Sequence, residues 1–119
     1  MSYEEEIEIV EGTFGKEVYL QAQDADGNGI PLTGCVVKWV IFESEDSIAA
    51  ILNVTCTDVN LSEGKVKYGL LESDWGEEKL HYRGEKEEDK YTSSLVATKT
   101  GYREEFPDLK VKIKKKAPA

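Results

Sequence analysis

Hydrophobic and polar positions alternate along most of the chain, the period of a strand with one face against a core and the other in water. Near the start, Ile7 and Ile9 alternate with Glu6 and Glu8; near the end, Leu109, Val111 and Ile113 alternate with Lys110, Lys112 and Lys114. Val18, Leu20 and Ala22 alternate with Tyr19 and Gln21. The run "CVVKWVIF" at 35–42 is rich in β-branched and aromatic residues and predicts a substantially buried strand. Its odd-numbered set, Cys35, Val37, Trp39 and Ile41, is expected inward, because Lys38 shares the other face with Val36 and Val40. Ala50, Leu52, Val54 and Cys56 form a further alternating set, with a short helical turn over 46–52 as the competing reading. Val66, Tyr68 and Leu70 stand opposite Lys65, Lys67 and Gly69, and "KLHYRG", "KYTSSLVATK" and "DLKVKIK" complete the strand signals.

Turn-forming clusters separate these runs at intervals of roughly 8–12 residues, which is the spacing of an antiparallel sandwich or barrel. The expected fold is all-β: a single immunoglobulin-like antiparallel β-sandwich of about seven or eight strands. One domain is expected over residues 1–119, ordered from about 5 to 114, with frayed first residues and a disordered tail at 115–119.

Composition narrows the partners. The chain has 119 residues, of which 33% are charged, and a net charge of −9. Such an acidic balance disfavours nucleic acid, whose phosphates need a basic surface. No apolar run reaches the roughly 18–20 residues of a membrane span, and "MSYEEEIEIV" lacks the basic-then-apolar order of a signal peptide. No membrane partner is expected, and the two sequons at Asn53 and Asn60 carry no expectation of glycosylation.

The charge is also unevenly placed. Residues 1–17 hold six glutamates against Lys16, a balance of −5, whereas 108–116 hold five lysines against Asp108, a balance of +4. If the two terminal strands are neighbours with apolar faces aligned, Glu6 and Glu8 meet the row Lys110, Lys112 and Lys114, at roughly 0.2–1 kcal/mol per cross-strand pair. The competing reading is two separately solvated edges, which charges also protect from aggregation.

Candidate chemistry is sparse. "DADGNG" places Asp24, Asp26 and Asn28 as in the opening of an EF-hand calcium loop, whose oxygen ligands need a tight turn. The twelfth position, where such a loop supplies a bidentate Glu, is Cys35, and the flanks read as strands. A strand-to-strand turn built on Asp, Asn and Gly accounts for the same letters and is preferred. Cys35 and Cys56 fall on inward faces and are expected as reduced core thiols, without the spacing of a zinc site. His81, the only histidine, is expected to face solvent. The many carboxylate clusters read as solvated surface. With no glycine-rich phosphate loop and no nucleophile–base pair, neither enzyme activity, a cofactor nor a small-molecule ligand is expected.

Trp39 is expected as a core anchor. Trp75, in the polar stretch "ESDWGEE", either packs over the core edge, the preferred reading, or stands out as a protein-binding contact.

Three segments in order, "VYLQAQDADGNGIPLTGCVVKWVIF", "EGKVKYGLLESD" and "GYREEFPDLKVKI", carry a resemblance that spans residues 17–113. They resemble the N-terminal domain of the phage baseplate upper protein family, an immunoglobulin-like module of virion tails. Leu32, Thr33 and Gly34 match its L-T-G step; Cys35 stands where that pattern has a small residue, and Val37 and Trp39 fill its V-x-F positions. Gly64, Val66, Tyr68 and Leu70 match its G-x-V-x-Y-x-L strand. Pro31 replaces a usual acidic residue, and the strand after "Y-x-L" is echoed loosely. Bacterial adhesin immunoglobulin-like repeats share the Asp-rich turn and are the competing resemblance. The resemblance implies a non-enzymatic assembly module, docking to other tail proteins or to itself, in the virion or in the cytoplasm during assembly. Glu6, Glu8, Trp75, Lys110, Lys112 and Lys114 are its candidate contact residues. The alternative is a cell-surface or carbohydrate-binding module with Trp75, Tyr82, Tyr91 and Tyr102 as a stacking platform.

Overall fold

The structure is a computed structural model that describes residues 6–44, 49–82 and 88–117. Its strands are β1 (Glu6–Val10), β2 (Glu17–Gln21), β3 (Val36–Phe42), β4 (Leu52–Thr55), β5 (Thr57–Asn60), β6 (Lys65–Gly69), β7 (Glu88–Lys99) and β8 (Tyr102–Lys114). They form two sheets, one of five strands in the order β1-β8-β7-β3-β4 and one of three in the order β2-β6-β5, packed as a sandwich. The all-β sandwich expected from alternation is the observed fold. Five of the six strand pairings are antiparallel; β1 and β8, the terminal strands, pair in parallel.

Alternation decides which side chains enter the core. On β3, Val37, Trp39 and Ile41 are buried while Val36 and Lys38 are exposed, as the lysine on that face required. Val18 and Leu20 on β2, and Val66 and Tyr68 on β6, supply the facing layer. Trp39 is fully buried, and its indole N–H needs a partner there. It donates to Ser93 Oγ at 3.0 Å, and Ser93 in turn donates to the Leu109 carbonyl at 2.7 Å. This explains a serine on the inward face of β7 among Tyr91, Leu95 and Ala97. The Tyr68 ring meets Trp39 edge-on at 6.2 Å, joining the two sheets.

Three departures from the alternation pattern have local causes. The strand expected from Ala50 begins at Leu52, and at Cys56 the chain leaves the five-stranded sheet for the other. The Cys56 N–H donates to the Val37 carbonyl at 2.8 Å, and its side chain is buried at the crossing. β5 then lies at a sheet edge with all four residues exposed, so no apolar rhythm marks it. "KLHYRG" is not a strand where it is described: Leu80 is wholly buried through a single bridge to Trp75, and His81 and Tyr82 follow as irregular chain. Arg83 and Gly84 lie outside the described residues, as do residues 45–48 of the expected 46–52 turn, residues 1–5 and the last two of the tail. Finally, β8 extends back to Tyr102. Ser93 pairs with Leu109 but Leu95 with Phe106, so β8 carries an extra residue at Pro107–Asp108. A bulge tolerates proline because ladder pairing is interrupted there.

At Gly64, as at Gly29, where a Cβ would lie 2.1 Å from the Glu63 carbonyl oxygen, the backbone admits nothing larger. The φ of Gly64 is 71°, and a Cβ there would lie 2.6 Å from the Ile30 carbonyl oxygen and 2.9 Å from that of Ala22. The Ala22 N–H donates to the Gly64 carbonyl at 2.9 Å, so the 22–30 loop is held against this turn. The glycine of the "G-x-V-x-Y-x-L" pattern is thus a close-approach residue.

Candidate interaction surface

The parallel pairing of β1 with β8 sets Glu6 opposite Lys110, Glu8 opposite Lys112 and Val10 opposite Lys114. The two ends are therefore neighbours, with Ile7, Ile9, Val111 and Ile113 turned into the core. The ion pairs run partly along diagonals. Lys112 Nζ lies 2.9 Å from Glu6 and 4.0 Å from Glu8, while Lys114 Nζ lies 3.2 Å from Glu8. Lys110 is exposed and makes no ion pair among the described residues. The Lys112 side chain is only 17% exposed, so its charge is the least hydrated of the three. The ladder thus acts within the chain.

Beyond Val10 the chain turns at Gly12, and the Thr13 N–H and hydroxyl both donate to the Val10 carbonyl. From there the 11–16 turn is stitched to the other sheet. The Gly15 N–H donates to the Leu70 carbonyl and the Leu70 N–H to the Lys16 carbonyl, both at 2.9 Å. Trp75 Nε1–H donates to the Thr13 carbonyl at 2.8 Å, and the Tyr82 N–H donates to the Glu11 carboxylate at 2.8 Å. Asp74 anchors the 71–75 turn from inside. Its buried carboxylate accepts from the Tyr68 hydroxyl at 2.7 Å and from the Leu71 N–H at 2.9 Å. Burial and this bond to a carboxylate push the Tyr68 phenol well above the usual tyrosine range.

Trp75 is half-buried against the core with its N–H satisfied, as the preferred sequence reading expected. The exposed apolar residues at this corner are others: Val10, Phe14 and Leu71 are 44%, 57% and 56% exposed. All three break the alternation rule. Val10 follows an inward Ile9, Leu71 follows an inward Leu70, and Phe14 stands in a glycine turn with no apolar partner at two-residue spacing. The sequence carries that signal as apolar residues at positions where alternation calls for polar ones. Beside them, a cleft of about 100 Å³ opens between the edges of β1 and β2, floored by Ile9, Val18 and Leu70 and rimmed by Glu8 and Lys16.

The remaining candidates take structural places. Asp24 Oδ1 accepts the N–H groups of Asp26 and Asn28, both at 2.9 Å, and the Gly27 N–H donates to the Asp24 carbonyl. This is an aspartate-closed turn, and one carboxylate oxygen of the would-be calcium set is committed to it. Cys35 and Cys56 are free, buried thiols. Burial, with a smaller contribution from Asp58, pushes the Cys56 thiol up to about 12. His81 is half-buried, with Nδ1 2.9 Å from the Lys79 carbonyl oxygen and its ring edge-on to Tyr91, so it does not face freely into solvent.

The stacking platform does not assemble. Tyr91 is buried, its hydroxyl donating to the His81 carbonyl at 2.5 Å. Tyr102 opens β8 while Lys114, by the Trp75 corner, closes it, about 40 Å away at the rise of an extended strand. Tyr102 donates its hydroxyl to Glu104 at 2.6 Å, which pushes its phenol up to about 12, and Lys99 lies over its ring. No helix among the described residues is long and apolar enough to cross a membrane.

No family model matches the sequence, and no curated protein matches it. Among solved structures, the fold is similar to the N-terminal domain of phage TP901-1 ORF48, with a TM-score of 0.51 at 12% identity. The likeness covers 93% of this chain and 84% of that one. At that identity it speaks for the fold alone.

Proposed function

We propose that the chain is a non-enzymatic structural module of a phage-type tail or baseplate, working by docking protein surface against protein surface in the virion. The observation that carries this reading is the likeness in fold to a phage domain over nearly the whole chain. The sequence motifs at Leu32–Gly34 and Gly64–Leu70 point the same way, and both lie at structural positions: the approach to the buried β3 and the close-packed Gly64 turn. The exposed cluster of Val10, Phe14 and Leu71 supports docking, because apolar groups gathered at one corner gain most when a partner covers them. A charge ladder engaged within the chain fits a rigid module that presents its corner without deforming.

The test is co-expression with the products of the genes that flank this one, followed by affinity capture and mass measurement of the complex. A stable complex with a tail or baseplate protein is expected. A neighbourhood free of virion genes, or virion neighbours none of which binds, overturns the proposal.

A further inference from the structure

We infer that the Val10–Phe14–Leu71 corner is a self-association surface, and that its occupant is the same corner of a second copy of this chain. The inference rests on the assembly reading above and deepens it by naming one partner.

The argument begins with how charge is laid out across the corner. On the side of the five-stranded sheet, the Glu11 N–H donates to the Lys114 carbonyl at 2.9 Å, so the last residue of β8 is fixed beside Val10. Lys115 and Lys116 therefore leave the fold at the corner, and both are exposed. On the side of the three-stranded sheet, Leu71 runs directly into the turn that carries Glu72, Glu77 and Glu78, all exposed. Lys79, in the same turn, directs its ammonium to the Ser73 carbonyl at 2.7 Å. Between the two sides sit the apolar residues, with Thr13 bonded to Val10 on one side and Trp75 on the other, and Gly15 bonded to Leu70. Glu8 is paired with Lys114, Glu11 lies beside Val10, and Lys16 stands at the β2 side, so from Lys115 and Lys116 through the apolar residues to Glu72, Glu77 and Glu78 the order across the corner is net basic, apolar, net acidic.

A surface with that order is complementary to itself. Rotation by a half-turn about an axis through the apolar centre sets the basic side of one copy over the acidic side of the other, twice, by the same operation. Phe14 then faces the partner's apolar centre, where the cleft floored by Ile9, Val18 and Leu70 offers a recess beside the exposed ring. The net charge of −9 opposes any close approach of two copies, so attraction has to come from local separation of charge. This corner has that separation, together with three of the five large hydrophobic residues exposed among the described residues.

The test is sedimentation equilibrium of the full chain from about 10 μM to about 1 mM, the range that resolves weak pairing, at low and high salt. A reversible dimer is expected, weakened by salt. Phe14→Ser should weaken it by at least about tenfold with an unchanged melting temperature, because Phe14 is already exposed. Two charge reversals give the sharper reading: Lys115→Glu with Lys116→Glu, and Glu77→Lys with Glu78→Lys. Each variant alone should lose the dimer, and an equimolar mixture should recover it as a heterodimer, since each then meets its opposite. A wild type that stays monomeric at the highest concentration overturns the inference. So does a dimer indifferent to Phe14→Ser, or a mixture that fails to recover pairing. A monomer that still captures a tail protein would sink self-association while leaving the assembly reading standing; failure of that capture beside an intact dimer would do the reverse.

Discussion

Replacing Lys112 with Glu tests whether the terminal ladder holds β1 in place. Lys112 contacts both Glu6 and Glu8 and is largely covered. Removing it loses two pairs at roughly 0.5 kcal/mol each, somewhat more for a partly buried charge. Reversing it places a third carboxylate beside Glu6 and Glu8, which at near-surface screening adds a repulsion on the order of 1 kcal/mol. The expected cost of Lys112→Glu is about 2 kcal/mol, a fall in melting temperature of roughly 5–10 °C for a domain of this size. Lys110→Glu, at an exposed position without an ion pair, should cost under about 0.5 kcal/mol. Urea unfolding measures both, and amide exchange at Ile7 and Ile9 reports whether β1 loosens before the core at Leu95 does. Adding 1 M salt should recover part of the Lys112→Glu loss, and combining it with Glu6→Lys and Glu8→Lys should recover most of it. Equal effects at positions 110 and 112, or a Lys112→Glu loss that salt and charge exchange leave untouched, would refute the reasoning.

Three further outcomes follow from the geometry. The Cys56 thiol ionises near 9 in the unfolded chain and near 12 in the fold, so the unfolded state binds fewer protons between those values and stability falls as pH rises through them. Cys56→Ala should flatten that fall by on the order of 1 kcal/mol per pH unit, read from urea midpoints at pH 8 to 11; an unchanged slope counts against burial as the cause. Gly64→Ala should cost more than about 2 kcal/mol through strain and collision with the Ile30 and Ala22 carbonyls, whereas Gly12→Ala, also at positive φ but in open space, should cost about 1 kcal/mol; equal losses in thermal melts would show that close approach contributes nothing. Asp24→Ala should lower stability by about 1 kcal/mol through loss of the turn, and melting temperatures in millimolar calcium and in EDTA should coincide; a calcium-dependent rise abolished by Asp24→Ala would reinstate the loop as a cation site.

Alternation by itself determined the fold class and nearly every inward face, because a strand with one dry side repeats every two residues whatever its neighbours are. It also marked Cys35, Trp39 and Cys56 as core, while the Asp, Asn and Gly residues of 24–29 marked a turn. Pairing was beyond it. Opposite charges on the terminal strands made adjacency plausible, but only the fold fixed the parallel register that sends Lys112 diagonally to Glu6. β5 was illegible because an edge strand exposed on both faces has no apolar rhythm, and "KLHYRG" misled because Leu80 is buried by one bridge with no ladder. Tyr91, read as a surface ring, lies inside because β7 turns it toward the core. The corner itself is a tertiary product: Leu71 is distant along the chain from Val10 and Phe14. They come together where the β1–β2 turn is bonded to the end of β6, and only that juxtaposition places the lysines of one terminus and the glutamates of the 72–78 turn on either side of them.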